Sequence, residues 1–165
     1  MVHALCILVA ALPLNFALQG GTASADPFAM AKWEMFKRGT SDGNLAYIRG
    51  NTALRELKER ERFPYRVGFA VAFRKPNRYG LPTDDEAREL TPLENEIDRE
   101  MSGKKLGLFA LVITTGGMRE YVFYSNQPDA VRRKIKKMGG RMHGRDVRSY
   151  VAADPGWDVY FRFTQ

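Results

Sequence analysis

Cysteine and histidine are almost absent from this chain of 165 residues, which contains one cysteine, Cys6, and two histidines, His3 and His143. A single cysteine excludes an intrachain disulfide and a zinc site built on cysteines. Most hydrolytic and metal sites use more histidines than this chain offers. Beyond residue 25, no stretch approaches the roughly 18 uncharged apolar residues of a membrane-spanning helix, so we expect no integral membrane segment in the mature chain.

The overall composition is that of an ordinary globular protein, with 44% apolar and 27% charged residues. This composition excludes collagen-like, mucin-like and wholly disordered chains. The length corresponds to about one domain and allows a hydrophobic core without disulfides. Lys and Arg number 26 against 19 Asp and Glu, which gives a net charge of +7.

Charged side chains are missing from residues 1–25, which contain no Lys, Arg, Asp or Glu. The apolar run Ala4–Leu18, followed by Ala-Ser-Ala immediately before Asp26, predicts a signal peptide and a periplasmic or secreted mature chain. The missing basic residue near Met1 leaves two alternatives open. In the first, residues 1–25 form a disordered tail. In the second, translation starts at Met30 or Met35. Without a signal peptide the protein would be cytoplasmic.

The clearest strand signal is Tyr65–Phe73, where large apolar residues alternate with small ones. Thr83 and Glu86 then form a capping-box pattern that starts a helix predicted to end near Met101. Further elements are predicted from turn residues and apolar periodicity: a hairpin of Trp33–Arg38 with Leu45–Arg49, a short helix over 53–62, strands over 106–114, 118–124, 145–151 and 157–163, and a helix over 127–138.

From Tyr65 onward the predicted order is strand, helix, strand, strand, helix, strand, the ferredoxin-like arrangement. We therefore expect a single α+β domain over residues 31–165. Its ferredoxin-like (βαββαβ), mostly antiparallel sheet should carry helices on one face and an N-terminal β-hairpin. The expected core places Val67, Phe69, Val71, Leu108, Ala110 and Val112 on central strands beneath Leu93, Ile97, Val131 and Ile135.

Four segments together give the chain a family resemblance over roughly Trp33 to Phe163. These segments are 63–65 (FPY), 79–82 (YGLP), 114–124 (TTGGMREYVFY) and 154–160 (DPGWDVY). In their order and spacing the chain resembles the domain of unknown function 695 family, which implies a fold but no activity. It is more distantly similar to the regulator of ribonuclease E activity B family, an acidic inhibitor family whose members bind a ribonuclease. The basic character of this chain departs from that family.

Positive charge is concentrated between Val131 and Arg148, where eight basic residues and one acid give +7, the net charge of the whole chain. The helix period turns Val131, Ile135 and Met138 inward and the cations outward. Such a surface can bind nucleic acid, an acidic protein or anionic lipid, or it can be a solvated helix face that suits the helix C-terminus. The residues we single out as binding candidates are Arg132, Arg133, Lys136, Lys137, Arg141, His143 and Arg145.

The helix over 83–100 has the opposite charge, with eight acids against two arginines. The two helices can pair within one molecule or between copies. Asp84, Asp85 and Glu86 lack histidine support and EF-hand spacing, which favours helix capping over a metal site.

No nucleophile–base pair, phosphate-binding glycine loop or cofactor motif stands out, so we predict no catalytic residues, no metal and no cofactor. The sequence therefore favours a small binding or regulatory module, with an acidic protein or nucleic acid as partner. The alternative is a small hydrolase that uses carboxylates and Arg119. The oligomeric state stays open.

Overall fold

A computed structural model describes residues 26–39 and 45–165. The expected signal segment 1–25 and the turn of the expected N-terminal hairpin lie outside these residues. The strands are β1 (Trp33–Gly39), β2 (Leu45–Asn51), β3 (Tyr65–Ala72), β4 (Leu108–Thr115), β5 (Met118–Ser125), β6 (Arg141–Met142) and β7 (Arg145–Ala153). The helices are α1 (Asp84–Met101), α2 (Pro128–Met138) and α3 (Asp158–Thr164), with short 3-10 turns at Pro27–Ala29, Thr52–Glu56 and Arg60–Arg62.

The fold is a mixed α+β structure built on one seven-stranded sheet, in the order β1-β2-β4-β5-β3-β7-β6. Every pair of neighbouring strands is antiparallel. The expected central strand is confirmed, because β3 lies between β5 and β7 and pairs with both. The expected pairing of the two N-terminal strands is also confirmed, from Trp33 opposite Asn51 to Gly39 opposite Leu45.

Both faces of the sheet are covered by helix. Helices α1 and α2 cover the first face, where Leu90, Leu93 and Ile97 pack with Phe69 and Phe123 in one buried cluster. On the second face, Trp157 and Tyr160 of the C-terminal segment pack with Ile48, Val122 and Tyr124 in another. The expectation of helices on one face only is therefore wrong.

The segment that we expected to be the last strand, residues 157–163, is instead largely α3. The expectation followed an aromatic and β-branched composition. However, the residues that become buried, Trp157, Tyr160 and Thr164, are spaced at the helical period. Trp157 has a left-handed backbone with φ of 57°, which turns the chain into the helix. Asp154 accepts hydrogen bonds from the N–H of Asp158 at 2.8 Å and of Val159 at 3.4 Å, and so caps its first turn.

A β-bulge in β4 interrupts the alternation of side chains between the two faces of the sheet, so some expected core residues lie on the other face. The pairing with β5 shifts between Phe109 and Leu111, so Ala110 is an extra residue in the ladder. Val112 faces α1 as expected, but Leu108 and Ala110 belong to the cluster beneath α3. The prediction that these two pack beneath the helical residues at 93, 97, 131 and 135 is therefore wrong.

Asn51 lies just beyond the end of the ladder between β2 and β4, whose last pair is Gly50 opposite Leu111. Its side chain donates to the carbonyls of Met30 at 2.8 Å and Phe109 at 3.1 Å, and it accepts from the N–H of Lys32 at 3.0 Å. Only 2% of Asn51 is exposed, and backbone groups satisfy its buried amide.

Two smaller elements also differ from expectation. The predicted helix over 53–62 is two separate 3-10 turns. Strand β6 was not predicted; it joins β7 through His143 and Gly144, whose φ values of 49° and 71° suit a two-residue hairpin turn.

Candidate functional site

Helix α2 presents its cations to solvent because its opposite side is held against the sheet. Val131 is fully buried, while Ile135 and Met138 pack partly against the same cluster. Gly139, with φ of 78°, ends the helix and donates to the carbonyl of Ile135 at 3.0 Å. The exposed residues Arg132, Arg133, Lys136, Lys137 and Arg141 are called the basic surface below.

The basic surface carries positive charge that the described part of the chain does not neutralise. Within residues 26–39 and 45–165, no carboxylate oxygen lies within 4.0 Å of a nitrogen of these five side chains. Arg132 and Lys136, like Arg133 and Lys137, are four residues apart and repel each other. Lys134, between them in sequence, differs: its Nζ lies 2.6 Å from Glu100 Oε2 and joins α2 to α1.

The structure places the other two candidates, His143 and Arg145, against α1. His143 Nε2 lies 2.7 Å from Glu96 Oε2. Arg145 is buried, with 3% of its side chain exposed, and its guanidinium lies 2.8 Å from Glu86 Oε1 and 2.7 Å from Glu89 Oε2. Arg145 therefore holds the fold together and is not part of the basic surface.

Glu86 does not complete the expected capping box. Thr83 Oγ1 accepts from the N–H of Glu86 at 3.3 Å, but the Glu86 carboxylate turns away to the N–H of Arg74, at 2.6 Å, and to Arg145. Burial by itself raises the pKa of Glu86. The N–H of Arg74 and the guanidinium of Arg145 outweigh burial and hold that pKa below its ordinary value.

Arg119, the arginine of the hydrolase alternative, does not form one group with its strand neighbours Glu120 and Tyr124. Arg119 Nε donates to Thr114 Oγ1 at 3.2 Å on the face that α1 covers. Glu120 points to the other face, where it accepts from Tyr150 Oη at 2.5 Å, as strand alternation predicts. Tyr124 is buried and donates to Asp154 Oδ2 at 2.7 Å. Arg119 and Glu120 therefore lie on opposite faces of the sheet, and the hydroxyl of Tyr124 bonds Asp154 inside the core.

A cavity of about 300 Å³ lies on the first face of the sheet, beside α1. Its polar lining includes Arg49, Glu94, Thr114 and Arg119. Sequence reasoning identified Arg119 but missed Arg49 and Glu94. The spacing of Tyr47 and Arg49, two residues apart, indicates that both lie on the same face of β2. Their approach to Arg119 depends on the order of the strands in the sheet, which the local sequence does not specify.

Two further classes of site are not found in the described part of the chain. Residues 26–39 and 45–165 contain no group of three or more His, Cys, Asp or Glu side chains placed to hold a metal ion. Across the same ranges, no helix has both the length and the apolar character needed to cross a bilayer.

The chain matches the model of a family of unknown function, DUF695, over residues 31–164. The chain belongs to this family. No curated protein and no solved structure matches it. The more distant likeness to the regulator of ribonuclease E activity B family stays a prediction.

The segments that carry the DUF695 resemblance form the framework of the fold. The carbonyl of Phe63 accepts from Trp157 Nε1 at 3.0 Å, which joins the first of these segments to the last. The N–H of Gly117 donates to the carbonyl of Gly80 at 2.8 Å and joins the other two. The family pattern in this chain therefore fixes packing, whereas the basic surface lies outside these segments.

Proposed function

We propose that this protein is a small binding module without intrinsic catalysis, which contacts a polyanionic partner through the basic surface. The observation that carries the proposal is the absence of carboxylate neighbours around Arg132, Arg133, Lys136, Lys137 and Arg141 among the described residues. Cations that a fold leaves uncompensated attract polyanions over several ångströms and release counterions on binding.

The arrangement of α2 suits repeated anionic groups. Side chains at i, i+1, i+4 and i+5 lie along one helix face, with about 6 Å of rise between residues four apart. Arg141 follows two glycines and extends the basic surface beyond the helix end. Hydrolysis is favoured less, because the carboxylate of Glu94 is paired with Arg49.

The test is retention on immobilised heparin, a polyanion, followed by a salt gradient. Charge reversal of Arg133 and Lys137 to Glu should abolish retention and leave the melting curve nearly unchanged, since both positions are exposed. For each phosphate contact to a nucleic acid, the slope of log affinity against log salt should be roughly −0.7 to −0.9.

A matched control separates the basic surface from net charge. Lys58→Glu with Arg62→Glu changes the net charge equally at two exposed positions elsewhere in the chain. The control should elute from heparin at nearly the wild-type salt concentration. Equal elution of wild type and the R133E/K137E variant would show a merely solvated helix face and refute the proposal.

We also infer that the core from β3 to β7 is ferredoxin-like and that the protein acts outside the cytoplasm. The first inference is supported by the chain order, which is strand, helix, strand, strand, helix, strand apart from the two-residue β6 before β7. It is also supported by the position of β3 between β5 and β7. The second is supported by the uncharged, apolar composition of residues 1–25.

A further inference from the structure

The floor of the cavity beside α1 is built from two neighbouring rows of side chains that cross the sheet. In one row, Met35 of β1 is opposite Arg49 of β2, which is opposite Val112 of β4. In the next, Tyr47 of β2 is opposite Thr114, which is opposite Arg119 of β5. Directly opposed residues share a face, so the register alone places both arginines on the same floor.

The remaining wall comes from the loop before α1 and from α1 itself. Leu81 and Pro82 line the cavity, and the preceding Gly80 is bonded through its carbonyl to the turn between β4 and β5. Gly80 has φ of 70°, and a Cβ there would lie 3.1 Å from the backbone nitrogen of Gly117. Close backbone contact therefore holds the loop in place beside the sheet.

The charges in the cavity sum to one excess positive charge. Glu94 is ion-paired with Arg49, whose guanidinium also lies 5.0 Å from the ring centre of Trp33. In the described ranges, no carboxylate lies within 4.0 Å of Arg119. Arg49 Nε is buried and has no hydrogen-bond partner. The guanidinium of Arg119 therefore carries a charge that no carboxylate of the described residues pairs with, at a place open to a small anion.

Apolar side chains surround this charge. Met35 stands at the rim with 66% of its surface exposed, and Leu81, Pro82 and Val112 continue the apolar lining. The volume of about 300 Å³ lies at the lower end of small-molecule sites.

We propose that this cavity binds a small monoanion with an apolar tail, in the class of medium-chain carboxylates. The carboxylate accepts hydrogen bonds from the guanidinium of Arg119, and the tail lies against Met35, Leu81 and Pro82. A bidentate bond between a guanidinium and a carboxylate fixes the orientation as well as the charge. The cavity and the basic surface share no residue, so this site is independent of the function proposed above.

The experiment is a titration of the whole folded protein with octanoate, in which binding is measured by isothermal titration calorimetry and by amide chemical shifts in NMR spectra. Wild type should bind octanoate saturably, with shifts centred on β2, β4 and the loop at 80–82. Octan-1-ol, which has the same tail without the charge, should bind at least about tenfold more weakly. No octanoate binding, or equal binding of the alcohol, would overturn the proposal.

Variants then locate the anion. Arg119→Gln should weaken octanoate binding at least about tenfold, whereas Arg62→Gln, at an exposed arginine elsewhere, should not change it. Equal affinity in R119Q and wild type would be evidence against the site. Since R119Q can also disturb the fold, the exposed rim gives a second pair of variants. Met35→Glu should weaken octanoate binding by charge repulsion, and the neutral Met35→Gln should weaken it less.

The R133E/K137E variant keeps the two proposals apart. It should lose heparin retention and keep wild-type octanoate affinity. If it loses octanoate binding while R119Q retains it, the ligand binds the basic surface and the cavity proposal fails.

Discussion

The ring of Tyr124 stacks on the indole of Trp157, with centroids 3.9 Å apart and planes 12° from parallel. Both side chains are fully buried. Tyr124 lies on β5 near the middle of the sheet and Trp157 at the start of α3, so the stack joins the C-terminal helix to the core. Asp154 completes the junction by accepting from Tyr124 Oη at 2.7 Å.

The first prediction concerns this junction. Asp154→Ala should cost about 3 kcal/mol of unfolding free energy, because it leaves a buried hydroxyl and the first N–H groups of α3 without their acceptor. Urea unfolding measures the loss. Asp154→Asn keeps one side-chain oxygen and should lose less unfolding free energy. In a Tyr124→Phe background, D154A should cost less than it does in the wild type, because the hydroxyl that Asp154 accepts from is already gone. A cost below about 0.5 kcal/mol for D154A, typical of an unconnected surface position, would contradict the junction.

The second prediction concerns the ion pair of Glu86 with Arg145. Glu86→Gln should cost about 3 kcal/mol at neutral pH, since only 6% and 3% of the two side chains are exposed. The folded state lowers the pKa of Glu86, so its contribution is complete above the ordinary pKa of 4.5 and is lost as pH falls through the folded value.

Stability curves of wild type and E86Q should therefore converge in acid. Glu89→Gln is the matched control: this carboxylate bonds the same guanidinium but is 56% exposed, so its loss should cost less than about 1 kcal/mol. Parallel curves for wild type and E86Q down to pH 2 would show that the Glu86 pKa is not lowered.

The third prediction tests the core on the first face. Phe69 is 2% exposed and lies edge-on to Phe123, with ring centroids 6.0 Å apart. Phe69→Ala should cost roughly 3–5 kcal/mol in denaturant melts. Met35→Ala removes a largely exposed apolar side chain and should cost less than about 0.5 kcal/mol. A loss below 1 kcal/mol for F69A would mean that the core is placed wrongly.

The fourth prediction concerns alkaline pH. Burial raises the pKa of Tyr121 from 10.0 to about 12. Because the folded state favours the neutral phenol, this stabilisation is complete below pH 10 and is lost as pH rises through about 12. The phenolate absorbance of wild type minus that of Tyr121→Phe reports Tyr121 alone, and it should rise with a midpoint near pH 12. A midpoint near pH 10 would contradict the raised pKa.

The fifth prediction concerns the N-terminus. Mass spectrometry of protein from its native host should find a chain that starts at Asp26. Asp26 is already anchored, since its carboxylate accepts from the N–H of Phe28 at 3.0 Å and lies 2.9 Å from Lys105 Nζ. An intact Met1, or a start at Met30, would refute export.

Local patterns predicted most of the strands and both long helices, because each carries its own periodicity and turn residues. The β3 alternation and the stripe of Leu90, Leu93, Ile97 and Met101 both became core. The last helix was missed because its aromatic composition favours a strand, whereas the spacing of its buried residues, the Asp154 cap and the positive φ of Trp157 favour a helix.

Of the candidate functional residues, those on helix α2 were placed correctly from the sequence. The outward cations of α2 follow from a period of 3.6 residues. Arg145 was misplaced because its partners, Glu86 and Glu89, lie 59 and 56 residues away in the chain. The cavity required the pairing of β2 with β4 and of β4 with β5, which no local pattern specifies.

The bulge at Ala110 also indicates where β4 can gain or lose a residue among related chains. Ala110 and Leu111 face the same cluster, while Phe109 and Val112 on either side face the other one. Deleting Ala110 would restore a regular ladder and keep every other residue of β4 on its present face, whereas a deletion at Val112 would place neighbouring residues on the wrong side. Among related chains, loss or gain of one residue in β4 should therefore be accepted at the bulge, with the Asn51 amide as the group that must readjust.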